Sequence, residues 1–334
     1  MAGARAPEPE GKRISVVIPT WNGREYLPRC LEALRAQQRL PDEVIVVDGG
    51  STDGTVEFLE REYPEVTVVA LPENRGFAGA TNAGIRRAAG DYIATLNNDT
   101  EAHPAWLRVL ESALEAHPEA GHCASKMLRA DDPGIVDSAG TVYRWDGWGE
   151  MIGAGERDDG RFDEDREVFG ACAGAALYRR ALFDEIGLFD EDFFANYEDL
   201  DLDFRAQLRG RRCRFVPGAR VLHIAGPTRK RLGRRAVFLG FLNNLRVIAK
   251  NLPSGVVRRH LWAILRGHAA AIRHAFSQGQ GGTALAAYLA AAKEWGALMR
   301  KRRDIQAARR VPDEYIESWL AGPGRPQTDP GGAR

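Results

Sequence analysis

From Ile14 onward, short β-branched runs alternate with stretches whose apolar residues recur at helical spacing. The runs are ISVVI (14–18), EVIVV (43–47), VTVVA (66–70) and DYIATL (91–96). Between and after them, Tyr26 to Gln37, Thr55 to Glu62, Ala78 to Ala89 and Pro104 to Ala116 predict amphipathic helices. Strand and helix alternating at this pitch predicts an α/β fold on a parallel, doubly wound sheet. Ligands of such sheets gather at the carboxyl ends of the strands. The polar, glycine-bearing segments fall at those ends: PTWNG (19–23), DGGSTDG (48–54), ENRG (73–76) and NND (97–99). They are expected to face one crevice.

Beyond residue 99 the pattern is less regular. A loop-rich stretch from Gly140 to Glu167 carries Trp145, Trp148 and several glycines, and its length marks it as a functional flap rather than a plain connector. An apolar strand (171–178), a short helix (Arg179 to Ile186), an acidic cluster with aromatics (Phe189 to Asp203) and a strand ending at His223 follow. After Thr228 the pattern turns helical. Val257, Leu261, Ile264, Leu265, Ile272 and Phe276 lie at helical spacing, interleaved with Arg258, Arg259, Arg266 and Arg273. The predicted organisation is a leader (1–12), a main domain (13–228), a helical basic region (229–320) and a disordered tail (321–334).

Charge sharpens that division. The 334 residues balance to zero, yet residues 1–228 hold 26 Lys and Arg against 40 Asp and Glu, and residues 229–334 hold 20 against 6. Two regions with different partners are implied. Four scattered cysteines without a CxxC pair exclude a zinc ribbon or dithiol redox site and fit a reducing cytoplasm. The leader lacks the apolar core of a signal peptide, and no run approaches the roughly 20 apolar residues that span a bilayer. A cytoplasmic location is expected, with a peripheral seat on the inner face of the plasma membrane as the option that the basic helices open.

The candidate chemistry is carboxylate chemistry. Neither GxGxxG nor GxxxxGK[ST] follows the first strand, which weakens dehydrogenase and P-loop readings. Asp48 at a strand end can accept from a base N–H or a ribose hydroxyl, or serve only the turn; Asp53 is a turn residue or helix cap as readily as a ligand. Asp99 behind two asparagines suits Mg²⁺ or Mn²⁺ held against a diphosphate, and equally suits a turn. In NYEDLDLD (196–203), four carboxylates within six residues repel one another unless something needs them. Asp201 and Asp203 are expected on the polar face of a helix start; Glu198 or Asp199 can meet substrate as a general base. His223 is a candidate metal ligand, whereas His103, His117 and His122 are expected at the surface.

Taken in order, VVIPTWNG (16–23), VIVVDGGSTDGT (44–55), PENRGFAGATNAGI (72–85), YIATLNNDT (92–100), FFANYEDLDLDFR (193–205) and HIAGPT (223–228) resemble the inverting family 2 glycosyltransferases of GT-A fold, in their rhamnosyltransferase-like bacterial branch. The resemblance covers about 210 residues. It implies that Pro19, Thr20, Asn22, Asp48, Asn74, Gly76, Asn82 and Asn98 surround a nucleotide-sugar, dTDP-rhamnose first and UDP-sugars next. Asp99, last carboxylate of a DxD-like motif that here begins with Asn97, would bind a divalent metal with His223. Asp199 would be the catalytic base. Glu198, Gly174, Trp145 and Trp148 would lie towards a glycan or lipid-linked acceptor. The implied reaction is a direct displacement with inversion, in cell-surface polysaccharide synthesis.

For the basic helices, one side carrying Leu, Ile, Trp262 and Phe276 can lie on an anionic bilayer, or pack on the main domain or a second copy of the chain. Nucleic acid is not expected, because no recognition motif accompanies the charge. Two rival readings stand beside the transferase. A nucleotidylyltransferase would need a glycine-rich basic loop where PTWNGREYL stands; a silent scaffold of the same fold would have no use for Asp99, Asp199 and His223.

Overall fold

The computed structural model describes residues 11–224 and 232–322. Strands β1 (Ile14–Thr20), β2 (Glu43–Asp48), β3 (Thr67–Ala70) and β4 (Tyr92–Leu96) alternate with helices α1 (Leu27–Arg35), α2 (Thr55–Glu62) and α3 (Gly76–Arg87), and α4 (Trp106–Ala116) follows. These four strands pair in parallel in the order β4, β1, β2, β3, which brings their carboxyl ends together. Strand β1 is buried along its whole length, as a strand covered on both faces must be. Val17 joins Ile45, Val47 and Ile93 in one core layer; Val16 and Ile18 join Leu31, Val46 and Leu107 in the other. Helix α3 approaches β1 closely because position 84 is glycine: a Cβ there would stand 2.3 Å from Val17 Cγ1.

The rest of the sheet departs from the parallel expectation. With β5 (Thr100–Ala102), β6 (Ala120–Arg129), β7 (Val136–Ser138), β8 (Thr141–Arg144), β9 (Gly149–Met151), β10 (Arg166–Val168), β11 (Ala175–Arg179) and β12 (Arg212–His223) assigned, a mixed ten-stranded sheet runs β10, β12, β6, β11, β4, β1, β2, β3, with β5 paired to β12 and β7 to β6 off that path. Strand β11 is antiparallel to both neighbours. Its chain enters where β4 ends, with Asn97 N donating to Gly174 O, and can only run back along β4. Strand β6, AGHCASKMLR, is buried at nine of ten positions yet carries no apolar alternation. Its polar residues are paired instead: Lys126 with Asp158 and Asp163, and His122 with Asp203 at 3.1 Å. The expected surface position of His122 is thereby corrected.

The stretch 140–167 is partly ordered. Strands β8 and β9 form a small sheet with β13 (Leu320–Ala321), which pairs in parallel with β8. The C-terminal region is helical: α5 (Arg180–Ile186) and α6 (Glu198–Leu208) precede it, and it comprises α7 (Arg234–Asn251), α8 (Ser254–Ser277), α9 (Gly281–Lys293), α10 (Trp295–Ala307) and α11 (Asp313–Ser318). It is interlocked with the sheet half, since Val247, Leu252, Ile264 and Trp319 share a core with Tyr143, Phe193, Leu200 and Phe204. Ala321, expected in a disordered tail, sits in β13. The remainder of that tail (323–334), residues 1–10 of the leader and Ala225 to Thr228 of the HIAGPT motif lie outside the described residues. Among the described residues, no helix is long and apolar enough to cross a membrane.

Candidate active site

The ends of β1, β2 and β4, the start of α3 and the approach to α6 enclose a cavity of about 570 Å³. Pro19, Thr20, Gly49, Asn74, Gly76 and Asn98 form one wall, and Gly174, Glu198 and Asp199 another; Asp99 and His223 also face it. The expectation of a single crevice at the strand ends is met.

On the first wall, side chains hold loops against each other. Asn98 Nδ2 donates to Thr20 Oγ1 at 2.7 Å, and Asn74 Oδ1 accepts from Gly76 N at 2.8 Å. Asn22, at φ +50°, accepts from Thr52 N at 2.8 Å and so ties the β1 loop to the β2 loop. Asp53 bonds Thr55 N and Arg24 N, the turn and cap role. Asp48 is different. Its Oδ2 accepts from Ser51 N at 2.9 Å, while its Oδ1 is buried with no hydrogen-bond partner among the described residues. Asp48 directly precedes Gly49 of the cavity wall, and a buried acceptor left open calls for a donor.

Across the cavity, β4 and β12 deliver Asp99 and His223. His223 Nε2 lies 3.3 Å from Asp99 Oδ1 and 3.4 Å from Asn97 Nδ2, and its Nδ1 lies 2.8 Å from Asp137 Oδ2. Burial works against the imidazolium, but the hydrogen bonds and charges of Asp137 and Asp99 outweigh it and raise the His223 pKa to about 9.

The acidic cluster divides by register on α6. Asp201 is fully buried and held by Arg205, Lys250 and Asn251. Asp203, also fully buried, accepts from Thr141 Oγ1 at 2.8 Å and Ala171 N at 3.2 Å beside His122. Both belong to the interior rather than to an exposed helix face, because a bundle of helices and the flap cover that side of α6. Glu198 and Asp199 face the cavity. Burial, then the charge of Asp203, pushes Asp199 up to about 7 against the lowering effect of backbone donors at Leu200 and Ala173. Burial, then Asp199, raises Glu198 well above the usual carboxylate range, and its Oε2 has no partner among the described residues.

The approach to these carboxyls is strained. Phe194, Asn196 and Tyr197 all have positive φ (62°, 69° and 70°), costly for residues with side chains. Gly76 makes room for them, since a Cβ there would meet Phe194 O at 2.2 Å. The strain is held from α7: Asn243, fully buried, donates to the carbonyls of Phe193, Ala195 and Asn196 at 2.8–3.0 Å. Lys250 joins Asp190 to Asp201, and Arg246 joins Asp192 O to Glu294.

Five expected site residues do not line the cavity: Asn22 and Asp48 stand behind its first wall, and Asn82, Trp145 and Trp148 are turned elsewhere. Asn82 spends its amide on Phe189 N and O and on Glu191. Trp148 packs against Phe241 and His268, and Trp145 against the edge of His260, so the flap reaches the cavity through Gly149, Glu150 and Met151 instead. The tryptophans turn away because α7 and α8 offer them ring partners, Phe241 and His268 for Trp148 and His260 for the part-exposed Trp145. Residues missed from sequence include Asp137, in a stretch with no periodic signal, and Asn243. The polar pair Asn243-Asn244 inside the apolar run of α7 was the available sign of a buried network.

This site and fold are those of a glycosyltransferase. A sequence model described as Glycosyl transferase family 2 matches residues 15–187, just over half of the chain, and the chain belongs to that family. It is similar to the N-acetylglucosaminyl-diphospho-decaprenol L-rhamnosyltransferase of Mycobacterium tuberculosis, 28% identical over 236 residues that cover 63% of this chain and 75% of that protein. In three dimensions it resembles GalNAc-T7, solved with UDP, GalNAc and Mn²⁺, at a TM-score of 0.56 and 17% identity, covering 72% of this chain and 48% of that one, about half its length. It also resembles the mannosyltransferase PcManGT of Pyrobaculum calidifontis, solved with GDP-Man and Mn²⁺, at 0.52 and 20% identity over 91% of this chain and 88% of that one. These structures establish the GT-A fold.

Proposed function

We propose that the chain transfers rhamnose from dTDP-rhamnose to a hydroxyl of a glycan or lipid-linked acceptor, with inversion, in cell-surface polysaccharide synthesis. The observation that carries this reading is the buried Asp199, lining the same cavity as the Asp99–His223 pair and as Gly49, the residue next to the open acceptor of Asp48. The relative from Mycobacterium tuberculosis, named for rhamnosyl transfer to a lipid diphosphate-linked sugar, supports the donor and acceptor classes.

In this mechanism Asp48 Oδ1 accepts from the N–H of the pyrimidine base, fixing the nucleotide at the first wall. Asp199 takes the proton of the acceptor hydroxyl as its oxygen bonds to the anomeric carbon. The bond from that carbon to the nucleoside diphosphate breaks on the opposite face, so configuration inverts. Base catalysis of this kind contributes about 10²–10⁴-fold.

Asp99 and His223 are the residues to hold Mg²⁺ or Mn²⁺. Their facing atoms stand 3.3 Å apart, and a carboxylate beside an imidazole is a donor pair that would suit such an ion. Among the described residues no group of three His, Cys, Asp or Glu converges as a metal cage. A bound ion supplies charge stabilisation for the departing diphosphate. Asp137 orients His223 through Nδ1, so Asp137→Asn is expected to weaken Mn²⁺ binding about 10–100-fold, measured by titration calorimetry.

The pH dependence follows from burial. Asp199 must be ionised to accept a proton, so kcat/KM is expected to rise with pH through about 7 and level off above it. Because Glu198 shares the site, the inflection belongs to the pair. A flat profile between pH 5.5 and 8.5, a range of roughly ±1.5 around that value, would remove Asp199 as base. The donor is tested by thermal shift against dTDP-, UDP- and GDP-sugars with and without Mn²⁺. A metal-dependent rise confined to dTDP-rhamnose supports the reading, and a rise confined to another sugar nucleotide replaces the donor.

A further inference from the structure

Helices α8 and α9 form an antiparallel hairpin whose inner face is built of small and buried residues: Ala275, Ala284, Ala287 and Ala291 pack with Phe241 and Leu242 of α7. The outer face is of another kind. Among the described residues ten large apolar side chains are exposed, and seven lie between Leu261 and Trp295. On α8 these are Leu261, Trp262, Leu265 and Phe276; Trp262 is 74% exposed. At 100° per residue Trp262, Leu265 and Phe276 fall on one stripe, with Arg258, Arg266 and Arg273 on and beside it. Leu285 and Leu289 extend the apolar surface along α9.

Exposed apolar area of this extent calls for a partner, and the charge says which. From Ser254 to Lys293 there are five Lys and Arg and no Asp or Glu. Arg259, off the stripe, is paired with Glu317, but Arg258, Arg266 and Arg273 have no ion-pair partner among the described residues. A second copy of this hairpin would oppose like charges across the interface. We infer that the hairpin lies flat on an anionic lipid bilayer, with the Trp262 stripe in the interfacial layer and the three arginines at the headgroups. An aromatic and aliphatic stripe flanked by bare arginines is what such a surface binds.

The face is also placed to matter. Its inner side holds Trp148 through His268, and the next three residues, Gly149 to Met151, line the cavity. Helix α8 thus stands between the Trp262 stripe and the flap segment that lines the cavity.

The test is co-sedimentation of the full chain with phosphatidylcholine vesicles with and without phosphatidylglycerol, a readout independent of sugar transfer. Binding is expected only with phosphatidylglycerol and falling with salt. The triple variant Arg258→Glu, Arg266→Glu, Arg273→Glu should partition at least about a hundredfold less, given roughly a fivefold gain per basic residue near such a surface. Trp262→Gln with Leu265→Gln should lose binding with an unchanged melting temperature. No binding to phosphatidylglycerol vesicles, or equal binding to both compositions, overturns the inference. So does a dimer in sedimentation velocity that the Trp262→Gln, Leu265→Gln variant dissociates without any vesicle binding.

Discussion

Asp199→Asn is expected to lower the transfer rate by at least about 10²-fold, and by up to about 10⁴-fold, while sugar-nucleotide binding stays within a few-fold. The carboxyl faces the cavity from α6, away from the wall formed by the β1 and β2 loops, so its loss removes the proton acceptor and little of the donor site. The same substitution should raise thermal stability above pH 7. A carboxyl whose pKa is higher folded than unfolded holds its proton more firmly in the folded state. Its burial costs no stability below the ordinary value of about 4, and an increasing amount as pH rises to about 7. Asparagine has no such charge to bury. Melting curves at pH 4 and pH 8 check this: the gain belongs at pH 8, and a variant that melts lower at both would mean that Asp199 is structural. Unimpaired turnover would remove it from the mechanism.

Lys250→Met carries the largest expected loss of stability. Lys250 is buried between Asp190 and Asp201, with Lys301 as second partner to Asp190. Removing this cation leaves Asp190 with Lys301 alone and Asp201 with Arg205 alone, one positive charge short at a buried pair, at a cost of up to about 3–5 kcal/mol. Both aspartates are held below the usual carboxylate range: burial opposes this, but Lys250 outweighs it at each, with Lys301 adding at Asp190 and Arg205 at Asp201. Depressed carboxyl pKa values give stability that is full above about pH 4 and lost as pH falls through the folded values. The variant should therefore unfold at lower urea near neutrality and show a shallower acid limb. Because Asp190 and Asp201 flank the strained approach to Asp199, the residual folded fraction should also turn over more slowly; wild-type turnover per folded molecule would show that α7 braces the fold alone.

Much of the nucleotide half could be read from the chain. The runs at 14–18 and 43–47 are β-branched because their strands are covered on both faces, and that burial is written into residue type. The loops after them are legible because turns need Gly, Asn and Asp whatever else they do. Strand β6 was not legible, since its buried His122 and Lys126 are acceptable only beside Asp203, Asp158 and Asp163, and those partners come from other segments of the chain. The flap tryptophans were misplaced for the same kind of reason: an aromatic in a loop beside a cavity and one packed beneath a distant helix have the same local sequence.

The acidic cluster shows where the boundary lies. Its four carboxylates in six residues announced a function before any fold was known, because such crowding is unfavourable in itself. Only the packing of α6 decided that Asp201 and Asp203 would be consumed by Lys250, Arg205, His122 and Thr141, and that Glu198 and Asp199 would face the cavity. Sequence by itself determined the residue types, their order and the periodicities, which are local properties of the backbone and side chains. Strand direction, the partner of each buried charge and the face each side chain presents depend on segments far apart in the chain, and they exist only once those segments meet.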